Sequence, residues 1–478
     1  GIHFRPVPGI IPRNQVKCSG TNQAQAVPIR VQSQNRFTKR AIIPATLPEI
    51  LSPEKLIASV QKKSIFLAMK FCLLLALSLS AQALDWPQWR GPTGDNKSAS
   101  SVKPVTEWST EKNVLWKTKI PGRGHSSPII TGKRIYLTTA DLEKATQSLI
   151  ALDRTSGTVL WEKVIHKGGL AKEVHRENSH ASSTPQWDGT HILTTFQNND
   201  KIKISAVTPA GDIAWSKSVS DYLPSFHFGY GSTPVLHKGL FIISIGTDKN
   251  GSLIAIDTKT GEQKWRTPRA IHDNWSTPIV AKLAGKDQLL ISGTGEIQSY
   301  DPMTGKKNWA GPLVPLSTCG TVAWTDEAVY ASGGYPGNET VGIKADGSGE
   351  VLWRNKERCY EQSLFSHAGH IYAVTDQGVG FCWRATDGKE MWKERLGRGG
   401  VMASPTFANE MIFSTIKTGV TIVYKATHEG FQKVSENKLG DDTYATPVIL
   451  DDGIFIRPGF IEEGERQEFL YKLGKQEK

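Results

Sequence analysis

The sequence predicts an all-β, eight-bladed β-propeller with four antiparallel strands per blade, and three observations carry that prediction. A short opening around a Ser or Thr recurs eight times, six of them as small-small-Pro, a Gly-x-x-x-Trp spacing recurs behind it, and the two ends of the repeat series are incomplete in complementary ways. The openings fall at Ser127-Pro128, Thr184-Pro185, Thr233-Pro234, Thr277-Pro278, Thr321-Val322, Ser363-Leu364, Ser404-Pro405 and Thr446-Pro447. Successive gaps are 57, 49, 44, 44, 42, 41 and 42 residues. A period of about 40–50 residues with four short strands per unit is that of a propeller blade.

The first unit shows why the pattern means strands. Ser127 to Ile130 is short and apolar, Thr131-Gly132-Lys133 is a turn, Arg134 to Thr139 alternates, and Leu149 to Leu152 follows as a third strand. Asp153-Arg154-Thr155-Ser156-Gly157 closes a hairpin whose glycine supplies a positive φ. Val159 and Trp161 then share one face of the outermost strand. The same spacing holds at Gly211–Trp215, Gly261–Trp265, Gly305–Trp309, Gly349–Trp353 and Gly388–Trp392. A Trp there covers the junction with the next blade and buries ~200 Å², which is preferred over a ligand-stacking row. The seventh unit is degenerate, with Val434 near the Trp position, so that joint is expected to be weak.

The last unit has no outer strand, whereas residues 113–120 read as an outer strand with no blade before it. Placing them as the fourth strand of the last blade closes the ring and removes two exposed sheet edges.

The charge belongs elsewhere. Of the net +11, residues 1–68 hold +8 and Lys70 one more, leaving about +2 for everything after residue 83. Nucleic acid is therefore not an expected partner. Lys62, Lys63 and Lys70, the apolar run Phe71 to Leu79 and Ala81-Gln82-Ala83 read as a signal peptide cut after Ala83. The run is about half of what a membrane span needs. The expected organisation is an upstream, disordered or non-native extension over 1–68, a signal peptide over 69–83, a lead segment over 84–112 and the propeller over 113–478. A periplasmic or extracellular monomer without a transmembrane segment follows. The mature part carries Cys319, Cys359 and Cys382, with no C-x-x-C.

The openings and the Ala-x-Asp-x-x-x-Gly-x-x-x-Trp hairpins (Ala151 to Trp161, Ala255 to Trp265) resemble the pyrroloquinoline-quinone (PQQ) repeat family over residues 113–473. That family includes quinoprotein alcohol dehydrogenases and non-catalytic BamB-type propellers of outer-membrane protein assembly. The stretch Asp85-Trp86-Pro87-Gln88-Trp89-Arg90-Gly91-Pro92 resembles the leader of exported bacterial members, and its two Trp are expected to pack against the propeller wall. The resemblance implies, for a catalytic member, PQQ on calcium held by Glu, Asn and Asp oxygens and stacked between a Trp and a vicinal Cys-Cys disulfide. This sequence has no adjacent Cys pair and no large inter-blade insertions. Trp275, Asn274, Glu361 and Arg398 fill the missing roles only by analogy of fold.

Function is expected where inter-blade segments converge on one mouth of the channel. These segments carry Arg123 and His125; Asn178 and His180; His227 and Tyr230; His272, Asn274 and Trp275; Cys319; Cys359, Tyr360 and Glu361; Arg398 and Met402; Asp442 and Tyr444. Four His at equivalent positions suit zinc or copper in kind, but one blade apart they lie too far from one another for ~2 Å bonds, and no metal is expected. Otherwise each His bonds to neighbouring backbone. Glu361, Asp442 and Arg398 either bind a charged ligand or pair with one another. Cys319 and Cys359, in adjacent blades, form a disulfide if their Cα atoms approach within about 7 Å, and are buried thiols if not. Walker, zincin, nucleophile-elbow and dinucleotide signatures are absent. The expectation is an exported, non-catalytic binding or scaffold propeller of the cell envelope without a cofactor. It would engage a protein, peptide or glycan through the mouth loops. The alternative is a PQQ- and calcium-dependent quinoprotein dehydrogenase acting on an alcohol or sugar.

Overall fold

The computed structural model describes residues 84–269 and 272–476, so the expected extension and signal peptide lie outside the described residues. Among the described residues every regular element is a strand, and no helix is long and apolar enough to cross a membrane. The strands form eight antiparallel sheets, one per opening. The first blade runs Ile129–Thr131, Arg134–Asp141, Thr146–Asp153 and Val159–Lys167, from the channel outward. Six more blades repeat this order, the last of them ending on Lys433–Lys438.

The eighth blade closes as the incomplete ends require. Val114–Ile120 pairs antiparallel with Glu465–Leu473, in a register running from Val114 opposite Leu473 to Ile120 opposite Glu468. The sequence did not announce one addition. Pro458–Glu462 folds back on the start of Glu465–Leu473, and Asp442–Thr443 pairs with it in turn.

Tryptophan docking holds the outer joints. The indole N–H of Trp161 donates to the Pro209 carbonyl of the next blade at 3.2 Å, and Trp215, Trp265, Trp353 and Trp392 repeat the bond to Thr258, Pro302, Ala385 and Thr427. Trp116, on the closing strand, docks on the first blade through the Arg154 carbonyl at 3.4 Å. The hairpin glycine is required because the ring lies against it. At Gly305, with φ of +70°, a Cβ would sit 2.5 Å from the Trp265 ring. Trp309 departs from the pattern and donates to Gln288 of its own blade at 2.8 Å.

The seventh joint, expected to be weak, is not left open. Val434 is exposed, but Trp108 of the lead segment is buried between Phe413, Val423 and Leu439 of the seventh blade and Ile454, Phe469 and Tyr471 of the eighth. Its backbone N–H donates to the Asn437 side chain at 2.9 Å. A Trp missing from the repeat is thus supplied from outside it, and the expected weakness is corrected.

At the axis, the openings bond to one another. The N–H of Ser127 donates to the Thr184 hydroxyl at 3.0 Å, Thr184 to Thr233 at 3.1 Å, and Thr233 to Thr277 at 2.9 Å. Thr321 donates to Ser363 at 3.1 Å, Ser363 to Ser404 at 3.0 Å, Ser404 to Thr446 at 3.2 Å, and Thr446 back to Ser127 at 3.0 Å. At the remaining joint the Thr321 hydroxyl donates to the Thr277 carbonyl at 2.7 Å. All eight residues are buried, so each bond satisfies a group that would otherwise be stranded without water.

The ring of hydroxyls gives a direct test. Thr446→Val keeps the shape but strands the Ser404 amide, and is expected to lower stability by about 1–2 kcal/mol, whereas Thr446→Ser stays within about 0.5 kcal/mol of wild type. Urea midpoints for the two variants check it; equal midpoints would exclude the role given to the hydroxyl.

Candidate functional site

The two mouths of the channel differ because the lead segment crosses one of them. Trp86 pairs through its backbone with Ile130 of the first blade, and the Pro87 carbonyl accepts the Trp187 N–H of the second. The buried Arg90 guanidinium donates to the carbonyls of Val322 at 3.2 Å and Leu364 at 2.8 Å, in the fifth and sixth blades. The Asn96 side chain donates to the Pro405 carbonyl of the seventh blade, and Ser98 to Ile449 of the eighth at 2.6 Å. Of the two Trp expected to pack on the wall, Trp86 does so, while Trp89 lies across the channel and contributes to the cavity above it.

That cavity, of about 370 Å³, fills the other mouth. Its lower part is formed by Trp89 and the opening residues Ser127, Thr184, Thr233, Thr277 and Thr446. Its walls come from the inter-blade loops: His125, Asn178, Trp275, Cys319, Tyr360, Glu361, Met402 and Tyr444 line it, as the sequence proposed for the mouth.

Several wall residues are held from behind. His125 lies flat on Tyr444, with ring centroids 4.0 Å apart at 6°. Burial, aided by the Arg123, Arg466 and Arg457 charges, pushes its pKa well below the usual imidazole value, so the ring stays neutral. The Trp275 indole donates to the Gly229 carbonyl at 2.9 Å and packs on Phe228 at 5.5 Å. Asn178 donates to the Phe228 carbonyl at 2.7 Å. Burial raises the pKa of both the Cys319 thiol and the Tyr360 phenol, so neither is an activated nucleophile.

Glu361 is the exception. Burial, then repulsion from Asp376 and Glu177, pushes its carboxyl up to about 7. Neighbouring carboxylates all have partners: Asp376 pairs with Arg358 at 2.6 Å, Glu177 with Lys417 at 2.5 Å, and Asp442 with Arg466 at 2.6 Å. Glu361 has none among the described residues. Of the two alternatives for Glu361, Asp442 and Arg398, pairing with one another is not seen, since Asp442 is taken by Arg466 and Arg398 is exposed.

Other candidates stand apart from the cavity. Arg123 donates to the Arg176 carbonyl at 3.1 Å, His180 bonds to the Ala171 carbonyl at 2.9 Å, and Tyr230 donates to Ser244 from a buried position. Asn274 is buried, donating to Thr318 and accepting from the Ser276 N–H. His227 and His272 are exposed. The four His therefore do not converge, and among the described residues no group of three or more His, Cys, Asp or Glu is arranged to hold a metal ion. The Cys319–Cys359 disulfide is not formed. Cys319 faces the cavity, whereas Cys359 is buried among Ala323, Tyr330 and Leu364 in the blade wall, and both are free thiols, as is Cys382.

Sequence reasoning missed His175, Glu177, Ser182 and Phe228, all of which line the cavity. The signal was there: they sit in the two longest gaps, 57 and 49 residues, where extra chain arches over the mouth. Phe226, Phe228 and Leu223 form its exposed apolar rim.

The openings, the docked Trp residues and the closing strand are those of one repeat family, and its sequence profile, described as outer membrane protein assembly factor BamB, matches residues 92–225, 225–336 and 337–433. The chain belongs to the PQQ-like β-propeller family. A polyvinylalcohol dehydrogenase of Sphingopyxis sp. (strain 113P3) is 23% identical over 63% of this chain and 61% of its own length, so the chain spans less than two thirds of that relative. Among solved structures, BamB from Moraxella catarrhalis superposes with a TM-score of 0.53 at 15% identity, over 75% of this chain and 99% of that one. A europium-containing methanol dehydrogenase gives 0.58 at 12% identity, over 84% and 99%. These superpositions establish the shared fold.

Two measurements check this site. Alkylation in denaturant without reductant is expected to label Cys319, Cys359 and Cys382 each once; an unlabelled Cys319–Cys359 pair would overturn their assignment as free thiols. The folded pKa of Glu361 lies above its unfolded value, so the folded state binds the extra proton, and the resulting destabilisation is absent below about pH 4.5 and complete above about pH 7. Glu361→Gln is therefore expected to match wild type in urea midpoint at pH 4 and exceed it at pH 8.

Proposed function

We propose that this chain is an exported, non-catalytic binding propeller of the cell envelope, holding a segment of a protein, peptide or glycan in the mouth cavity. The observation that carries this reading is the cavity itself. It is closed below by the lead segment, walled by Trp89, Trp275, Tyr360 and Tyr444, and rimmed by the exposed Phe226 and Phe228. Aromatic walls with a few fixed polar groups are what ligand pockets offer. The match to the BamB profile supports a binding role, and the membership of that family supports an envelope location.

The dehydrogenase relative favours a second reading, in which PQQ occupies the same mouth on calcium. The lining residues do not fit that group. PQQ carries three carboxylates, yet among the described residues the lining contains Glu177 and Glu361 and no Lys or Arg. Of the residues cast for it by analogy, Asn274 is spent on Thr318 and Ser276 and Arg398 is exposed. Cys319 stands without a neighbouring Cys.

The test sets the two readings against each other. Purified protein mixed with PQQ and CaCl2 is expected to show neither a thermal shift nor dye-linked alcohol oxidation. A ligand retained from envelope extract by wild type should be lost from Trp275→Ala and kept by Leu160→Ser, a change on the outer rim. Dye-linked turnover with PQQ, or equal retention by the Trp275→Ala variant, would overturn the binding reading at this mouth.

A further inference from the structure

Glu361 is a half-buried carboxylate without a hydrogen bond or ion pair among the described residues, although every acidic neighbour has found a cation. A charge in a low-dielectric surround is costly unless it is paired. The fold offers it no partner: Lys417 is held by Glu177 and Arg358 by Asp376. The cavity it lines also carries the rings of Tyr360, Trp275 and Trp89, whose π-faces attract cations and do nothing for anions; Tyr444 is already engaged by His125, Arg123 and Arg466. Neutral His125 adds no opposing charge. Aromatic faces, one free carboxylate and no lining Lys or Arg together describe a receptor for a positive guest. The volume of about 370 Å³ admits an alkylammonium chain.

We infer that the mouth cavity recognises an organic ammonium group, with Glu361 as its counter-ion and the aromatic rings as its walls. This deepens the binding reading above and rests on it. The ammonium arrives either as a lysine side chain on an extended segment or as a free alkylammonium compound.

The pH dependence follows from the groups that face Glu361. Asp376 and Glu177 raise its pKa, Arg358 and Lys417 lower it, and Tyr360 and Cys319 remain neutral beside it. With the carboxyl near 7, the anion is a minor form at pH 6 and the main form at pH 8. Affinity for a permanent cation is expected to rise about tenfold across that interval.

The experiment titrates full-length protein with choline, with the peptide Ala-Ala-Lys-Ala-Ala, and with the same peptide Nε-acetylated, followed by calorimetry and tryptophan fluorescence. Choline or the lysine peptide is expected to bind at millimolar concentration or better, and the tighter of the two identifies the source. Acetylation and Glu361→Gln should each weaken binding about tenfold. Thermal midpoints confirm that the variant is folded, and Leu160→Ser, an exposed position on the outermost strand of the first blade and outside the cavity lining, should retain binding. Equal affinity for the acetylated peptide, an unchanged Glu361→Gln variant, or no binding by either ammonium probe overturns the inference. A neutral peptide or glycan that binds the mouth while both ammonium probes fail would overturn it and leave the binding reading standing. Dye-linked oxidation with PQQ would instead overturn the reading beneath it.

Discussion

Eight hydroxyl-bearing residues on the channel axis form the constraint on which the rest of the molecule depends. Each blade begins with an extended segment beside the axis, where a backbone N–H is shut away from water. At seven of the eight joints a Ser or Thr at the same point of the next blade accepts that hydrogen, at the eighth the Thr321 hydroxyl donates to the Thr277 carbonyl, and the ring returns from Thr446 to Ser127. The side chain must be small enough for eight blades to meet and polar enough to accept a bond, which leaves few residue types. Tryptophan docking at the periphery makes use of the spacing that this inner ring imposes. Between them the two devices fix each blade at its inner and outer ends, and the apolar strands pack between.

The lead segment extends the same logic across one face. It supplies Trp108 where the seventh blade has no Trp of its own, and Arg90 bonds to the carbonyls of the fifth and sixth blades. Carbonyls beside the axis on that side would otherwise lack donors, and a guanidinium answers two at once. Burial is costly enough to bring the Arg90 pKa down to about 10. What remains for a ligand is the opposite mouth, whose base is the hydroxyl ring and Trp89 together.

Much of the fold was legible because repetition averages out local ambiguity. A single Ser/Thr opening or Gly-x-x-x-Trp means little, but eight of one, six of them followed by Pro, and six of the other at steady intervals define the blades. The closing strand was legible for the same reason, as a fragment with one possible place. The hydroxyls were visible only as small residues, since nothing in one blade shows what its opening bonds to in the next. Trp108 was invisible because it lies outside the repeat and enters a joint some 300 residues away in sequence. In the site, the wall residues close to the openings were found, including His125, Trp275 and Glu361. Those at the ends of long loops were not, because loop conformation depends on tertiary partners such as Asp273, which accepts the Phe226 and Asp248 N–H groups. The gap of 57 residues marked where to look but not which side chains return to the channel.

The departures from symmetry are where chemistry accumulates. Parts that repeat hold blades together, and they satisfy their polar groups by repeating. The mouth is built from parts that occur once: the insertion carrying His175 and Glu177, the Phe226–Phe228 rim, and the sixth opening with Tyr360 and Glu361 before it. Such parts must find their own partners, and nearly all do, Glu177 reaching Lys417 across 240 residues of chain. A carboxylate that fails to pair in these surroundings destabilises the fold unless something from outside completes it. Glu361 is left in that state, beside rings suited to a cation, at the one mouth the lead segment does not cross. Its cost to the folded chain and its value to a guest have the same physical origin.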